Sequence, residues 1–202
     1  PFNGKIDELG FWSSALSDAD ITGIYNSGTP TDLTSLSPTN WWRMGDNDGG
    51  TGTTITDQGA GGPTFSSDVP VSSSSGSFAD WLQNHNTTSD HKVVEIGGSS
   101  NNYLKNETSF SGDAEAISIW FKPNEVITPT SGTHGLIGFT GTGQYASYGA
   151  IMLGLCSTAI VGDVEVIAFY TGDWVYGYEN PTLSTDWNHL LIRWSGTTYD
   201  IH

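Results

Sequence analysis

Apolar residues recur along this chain at two different spacings. Over residues 4–12 they alternate: Ile6, Glu8, Gly10 and Trp12 fall on one face, and Asp7, Leu9 and Phe11 on the other. Successive strand side chains point to opposite sides, so the segment predicts a strand with a strongly apolar side. The spacing then changes. Leu16, Ile21, Ile24 and Tyr25 share one face at helical spacing, which predicts a short amphipathic helix packed on a sheet. Ser17 is its expected N-cap, Asp18 and Asp20 sit where the helix dipole favours acids, and Asn26-Ser27-Gly28 ends it. Residues 29–39 form a polar, Pro-bearing connector of the kind found at domain boundaries. Beyond it, 40–68 hold Trp41-Trp42 and residues 54–58 between Gly-rich loops, and residues 92–96, 103–104, 116–122, 135–139, 150–155, 164–170, 174–178 and 187–194 read as short strands separated by turn residues. In 117–122 Ser118 alternates with apolar neighbours. Residues 189–194 are almost continuously apolar, as expected in a sandwich interior. The Ser-rich tract 69–77 is expected to be exposed, and 78–90 to be a loop or one helical turn.

Composition agrees with an all-β reading. The 202 residues include 26 Gly and 8 each of Trp, Tyr and Phe, while only 14% are charged. Helical proteins usually carry more Lys, Glu, Ala and Leu. The length allows one large β-sandwich, or one plus part of another. The formal net charge is −16, with 6 Lys and Arg in all. Nucleic acid and anionic membranes are therefore improbable partners, since both need basic side chains. No apolar run is long enough for membrane insertion as a helix, and no signal peptide is evident. Pro1-Phe2-Asn3-Gly4 reads as the inside of a domain rather than a natural start. Cys156, the one cysteine, has no partner for an intramolecular disulfide and reads as a small buried hydrophobe.

Three segments carry a resemblance. Residues 2–17, with Gly4-Lys5-Ile6-Asp7-Glu8 followed by the short helix ending in Tyr25-Asn26, resemble the closing strand and helix of laminin-G-like domains. Residues 116–123 are similar to the early S-x-W-x-K-P strand of those domains. Residues 185–197, from Trp187 and His189 to Trp194 and the following turn, are similar to their mid-domain strand. The resemblance implies a concanavalin A-like jelly-roll β-sandwich with one short helix near the N-terminus. The order is unusual, since the family's ending comes first. The simplest account is a window on tandem copies: 1–28 closes a preceding copy, 29–39 links, and 40–202 holds the beginning and middle of a second. A circularly permuted single domain, or a strand added to a neighbouring chain, would give the same order. No segment occurs twice. Residues 40–58, with Trp41-Trp42-Arg43-Met44-Gly45-Asp46, look like laminin-G-like repeats in virion proteins of marine bacteriophages.

That resemblance implies a non-enzymatic structural or adhesive module of a virion (fibre, tail or decoration protein), extracellular and homo-oligomeric. Its partners would be further copies, other virion proteins and surface glycans. A carbohydrate-binding domain of an exported bacterial surface protein is the alternative, and a glycoside hydrolase a third. Hydrolases of this fold set acids at alternate strand positions as E-x-D-x-x-E; Asp163 and Glu165 are the nearest match and lack the third acid. G-x-S-x-G, the P-loop and the dinucleotide fingerprint are absent. His85, His91, His134, His189 and His202 are scattered without a zinc spacing. Structural Ca2+ is the expected ion. Asp46 and Asp48 lie in a Gly/Asp loop, Asp57 resembles the family's early D-x-x-G, and Asp7 belongs to its G-x-I-D-E strand. The same aspartates would equally cap turns. For sugars, Tyr145, Tyr148, Trp174, Tyr176 and Tyr178 are the candidate platforms. The last three alternate along one strand, which suits stacking on sugar faces or, equally, core packing. Trp41, Trp42, Trp120, Trp187 and Trp194 are expected in the core. The sequons at Asn86 and Asn106 matter only in a eukaryotic secretory host.

Overall fold

A computed structural model describes residues 2–44, 54–60, 65–66, 82–86, 89–96, 114–128, 134–138, 150–157, 164–170, 174–178, 182–195 and 198–202. The protein is all-β with one short N-terminal α-helix. Its strands are β1 (Gly4–Trp12), β2 (Asn40–Trp42), β3 (Thr54–Ile55), β4 (Phe65–Ser66), β5 (Leu82–Asn86), β6 (Ser89–Ile96), β7 (Ala116–Pro123), β8 (His134–Gly138), β9 (Ala150–Ser157), β10 (Val164–Tyr170), β11 (Trp174–Tyr178), β12 (Asn188–Ser195) and β13 (Thr198–Ile201); the helix α1 spans Asp18–Tyr25. The expected strand at 103–104, the tract 69–77 and the second sequon lie outside the described residues. Where a loop or helical turn is expected over 78–90, the chain forms β5. Leu82, Gln83 and Asn84 pair antiparallel with Val94, Val93 and Lys92, so a partner strand decides a segment without periodicity of its own.

The chain divides into two compact units: one of residues 1–4, 97–99 and 123–186, the other of residues 5–96, 100–122 and 187–202. The first contains a four-stranded antiparallel sheet in the order β11-β10-β9-β8. In the same unit Ile127 and Leu183 exchange backbone hydrogen bonds of 3.1 and 2.8 Å. The second holds a seven-stranded sheet in the order β13-β12-β7-β1-β6-β5, with β2 also paired to β1. Its defined registers are antiparallel: Leu9 faces Trp42 across β1 and β2, and His189 faces Trp120 across β12 and β7.

The interior position of β1 explains its burial. A strand flanked on both edges has its ladder satisfied within the sheet. Ile6, Leu9, Phe11 and Trp12 are buried, and so are Asp7 and Glu8. The alternation expected for this strand is interrupted at Glu8, whose φ of 46° is left-handed backbone that L-residues rarely adopt. The connector folds back on the strand: the Thr39 amide donates to the Phe11 carbonyl at 2.8 Å, and the Trp12 indole N–H to the Leu36 carbonyl at 3.0 Å.

Helix α1 starts as its sequence predicts. The Asp20 amide donates to the Ser17 hydroxyl at 3.2 Å, and the Ser17 amide to the Asp20 carboxylate at 3.0 Å, a reciprocal capping box. Asn26 closes it in the left-handed conformation, φ 41°. Its apolar face packs in a cluster of Trp12, Leu16, Ile21, Ile24, Leu33, Trp41, Ala116 and Leu191. Each such fully buried Ile or Leu contributes about 1.5–3 kcal/mol. Three expectations of core placement need correcting. Tyr25, at the end of the stripe, is 50% exposed because the helix ends there. Trp187 and Trp194 are only partly buried, since they flank the apolar centre of β12 at Leu190–Ile192, whereas Trp41, Trp42 and Trp120 are core.

Candidate functional site

Two polar constellations are built on the second unit. The first lies where β1 and β2 meet. Strand pairing of Leu9 with Trp42 and Gly10 with Trp41 brings Glu8 beside the residues following β2. The Glu8 carboxylate, 2% exposed, accepts the Trp41 indole N–H at 2.6 Å and the Arg43 Nε–H at 3.0 Å, and Arg43 also lies 4.9 Å over the Trp41 ring. A buried carboxylate is tolerated here because both its oxygens receive donors, one of them charged. Next to it, Asp7 accepts the Glu8 amide at 2.8 Å.

Asp57 completes this corner from the isolated bridge it makes with Trp42. One of its oxygens accepts the amides of Trp41 and Gly59, both at 2.8 Å; the other accepts the Asn40 side-chain amide at 2.6 Å. Gly59 is required by proximity. A Cβ there would stand 2.7 Å from the Asn40 Cα and from the Thr39 carbonyl oxygen. Asp57 thus performs the turn-capping role open to it from sequence. Asp46 and Asp48 lie outside the described residues. Among the described residues no group of three or more His, Cys, Asp or Glu side chains could hold a metal ion. Asp7 and Asp57 alone do not supply the six to eight oxygens that calcium takes, so they do not fit as a self-sufficient calcium site.

The second constellation joins β7, β12 and α1. Ser118 and His189 lie on adjacent strands, with the hydroxyl 2.8 Å from Nε2 of the imidazole. The His189 ring lies 4.7 Å from the Trp120 ring and 6.1 Å from that of Tyr25. Burial pushes its pKa down to about 4, which keeps the imidazole neutral at pH 7. A Ser–His pair is the beginning of a nucleophilic site. Ser118, however, has no accessible surface, so its hydroxyl meets no substrate, and the pair instead satisfies two polar groups within an apolar sheet. The sequence marks Ser118 as the polar residue of an apolar strand; its partner lies 71 residues away and only the fold identifies it.

The candidate sugar-binding row lies on β11, the outer strand of the four-stranded sheet. Tyr178 pairs with Ile167, Gly177 with Ala168, Tyr176 with Phe169 and Trp174 with Tyr170; the register shifts between Phe169 and Tyr170. Tyr176 and Tyr178 therefore occupy equivalent register positions, while the irregularity falls between them and Trp174 and interrupts the three-residue alternation expected from sequence. Tyr145 and Tyr148 lie outside the described residues. Of the hydrolase-like acids, Asp163 is outside the described residues, and Glu165 sits on β10 opposite Cys156 of β9.

Comparison with family models, with curated proteins and with solved structures returns no match to this chain.

Proposed function

We propose that the chain is a non-enzymatic adhesive or architectural module of a virion, built on a laminin-G-like jelly-roll sandwich and able to bind glycans along β11. One observation carries the reading. The three segments that resemble the laminin-G-like family form β1, β7 and β12, and these are consecutive neighbours in the order β12-β7-β1. Motifs far apart along the chain thus meet in one sheet, as parts of a single fold would. The same adjacency favours a permuted domain, in which the family's closing strand packs in cis, over a window on two tandem copies.

Two further features suit an adhesive role. The net charge of −16 keeps such a module soluble and off nucleic acid. Tyr176 and Tyr178 stand at alternate register positions of an outer strand, a spacing that suits a pair of rings for sugar C–H faces, with Trp174 beyond the register shift. Among the described residues no helix is long and apolar enough to cross a membrane.

The test is a glycan-array screen of the intact chain beside its Tyr176→Ala and Tyr178→Ala variants, with light scattering for assembly state. Selective glycan binding that weakens at least tenfold in either variant, together with a species larger than a monomer, is the expected result. Binding equal in all three proteins would remove β11 as the platform. Polysaccharide cleavage lost in Glu165→Gln would replace adhesion by hydrolysis.

A further inference from the structure

The way α1 is fastened to the sheet points to a conformational device. His189, Leu191 and Arg193 alternate along β12 and share one of its faces; opposite them in register stand Trp120, Ser118 and Ala116 of β7. The helix runs along this face. At its N-terminal end Arg193 donates to the Asp18 carboxylate at 2.7 Å and to the Leu16 carbonyl at 2.7 Å, and the Glu115 carboxylate accepts the Ala15 amide at 3.1 Å. At its middle Ile21 and Ile24 pack in the cluster that includes Leu191 and Ala116. At its C-terminal end Tyr25 stacks on Trp120 and His189.

We propose that α1 is an acid-released clasp, held on the β7–β12 face by Arg193 at its start and by Trp120 and His189 at its end, and freed by protonation before the sheet beneath it opens. The groups facing the contact are His189 and Arg193 from β12, Ser118 and Trp120 from β7, Glu115 just before it, Asp200 of β13 (3.1 Å from Arg193), and Asp18, Asp20 and Tyr25 of the helix. Acid acts on this contact through His189, whose imidazole it charges among two aromatic rings and a hydroxyl. Besides His189 itself, the β7–β12 ladder holds Ile117, Ile119, Leu190 and Ile192, all buried and none titratable, which keep the two strands together when the imidazole is charged. Release uncovers Leu191, Ala116 and Trp41.

His189 sets the size of the effect. Its pKa is about 4 in place and 6.5 in water. If release returns the ring to water, lowering the pH from 7 to 4 raises the opening equilibrium of α1 by up to about 100-fold.

Hydrogen exchange of the whole chain, followed by mass spectrometry between pH 7 and pH 3.5 and corrected for intrinsic rates, tests this. Peptides covering 16–25 should lose protection at least tenfold by pH 4 while those covering 116–122 and 188–195 keep theirs. His189→Gln, which does not titrate, should remove most of that pH dependence. Loss of protection by helix and strands together overturns the clasp, as does an unchanged pH slope in His189→Gln. Should that variant not fold, the wild-type profile decides: a step confined to the helix peptides supports release, and its absence refutes it.

Discussion

Replacing Glu8 by Ala removes the acceptor on which Trp41 and Arg43 both depend. The carboxylate is 2% exposed and the Arg43 side chain 14%, so water reaches neither well enough to compensate. Breaking a buried pair from one side costs about 3–5 kcal/mol, because the remaining charge loses its counter-ion. Here an indole N–H at 2.6 Å is orphaned as well. The left-handed backbone at position 8, φ 46°, gives Ala no relief. The single variant should therefore lose about 3–5 kcal/mol in urea denaturation followed by tryptophan fluorescence, a large part of the 5–15 kcal/mol typical of a domain. Arg43→Met keeps much of the stem that packs on Trp41 and removes the Arg43 guanidinium from the acid. The double variant, with neither charge, should recover at least about 2 kcal/mol relative to the sum of the two singles. Raising salt from about 0.1 to about 1 M should leave the coupling nearly unchanged, since buried pairs are weakly screened. A loss below about 1 kcal/mol in Glu8→Ala, within the range of an exposed pair, or additivity within about 0.5 kcal/mol, would refute the reasoning that this pair is buried and mutually dependent.

Three further outcomes follow from individual contacts. Gly59→Ala should destabilise by about 1–3 kcal/mol, because its Cβ would strike backbone at 2.7 Å; Gly23→Ala, in α1 with nothing within 4 Å of its Cβ, should stabilise by about 0.5–1 kcal/mol, and thermal melts of both read the contrast. Asp57→Asn should cost about 1–3 kcal/mol with or without calcium, since the carboxylate serves three N–H donors; a loss seen only in the presence of calcium would show instead that it is a ligand. For His189 the folded pKa lies below the ordinary one, so the native state binds fewer protons: stability is complete above pH 6.5 and falls as the pH drops toward about 4. The loss is at most about 3 kcal/mol, and denaturation midpoints of His189→Gln should lack that portion.

Much of the local structure was legible in the amino-acid order, because local structure answers to local chemistry. Ser17 and Asp20 define the start of α1 through contacts within one turn, and Asn26 ends it for the same reason. The strands at 4–12, 116–123 and 188–195 follow from runs of apolar residues that cannot stay in water. Tertiary structure decided what depends on neighbours. The sequence of β1 shows two acids in an apolar strand, but its place between β7 and β6 buries both, and Arg43 and Trp41, more than thirty residues on, help make Glu8 tolerable there. β5 exists because β6 pairs with it, and Ser118 meets His189 because β7 lies beside β12. Arg193 reaches the Leu16 carbonyl across 177 residues. A polar group in an apolar segment signals that a partner is needed. Which partner answers depends on strand order, a property of the folded chain that no local pattern encodes.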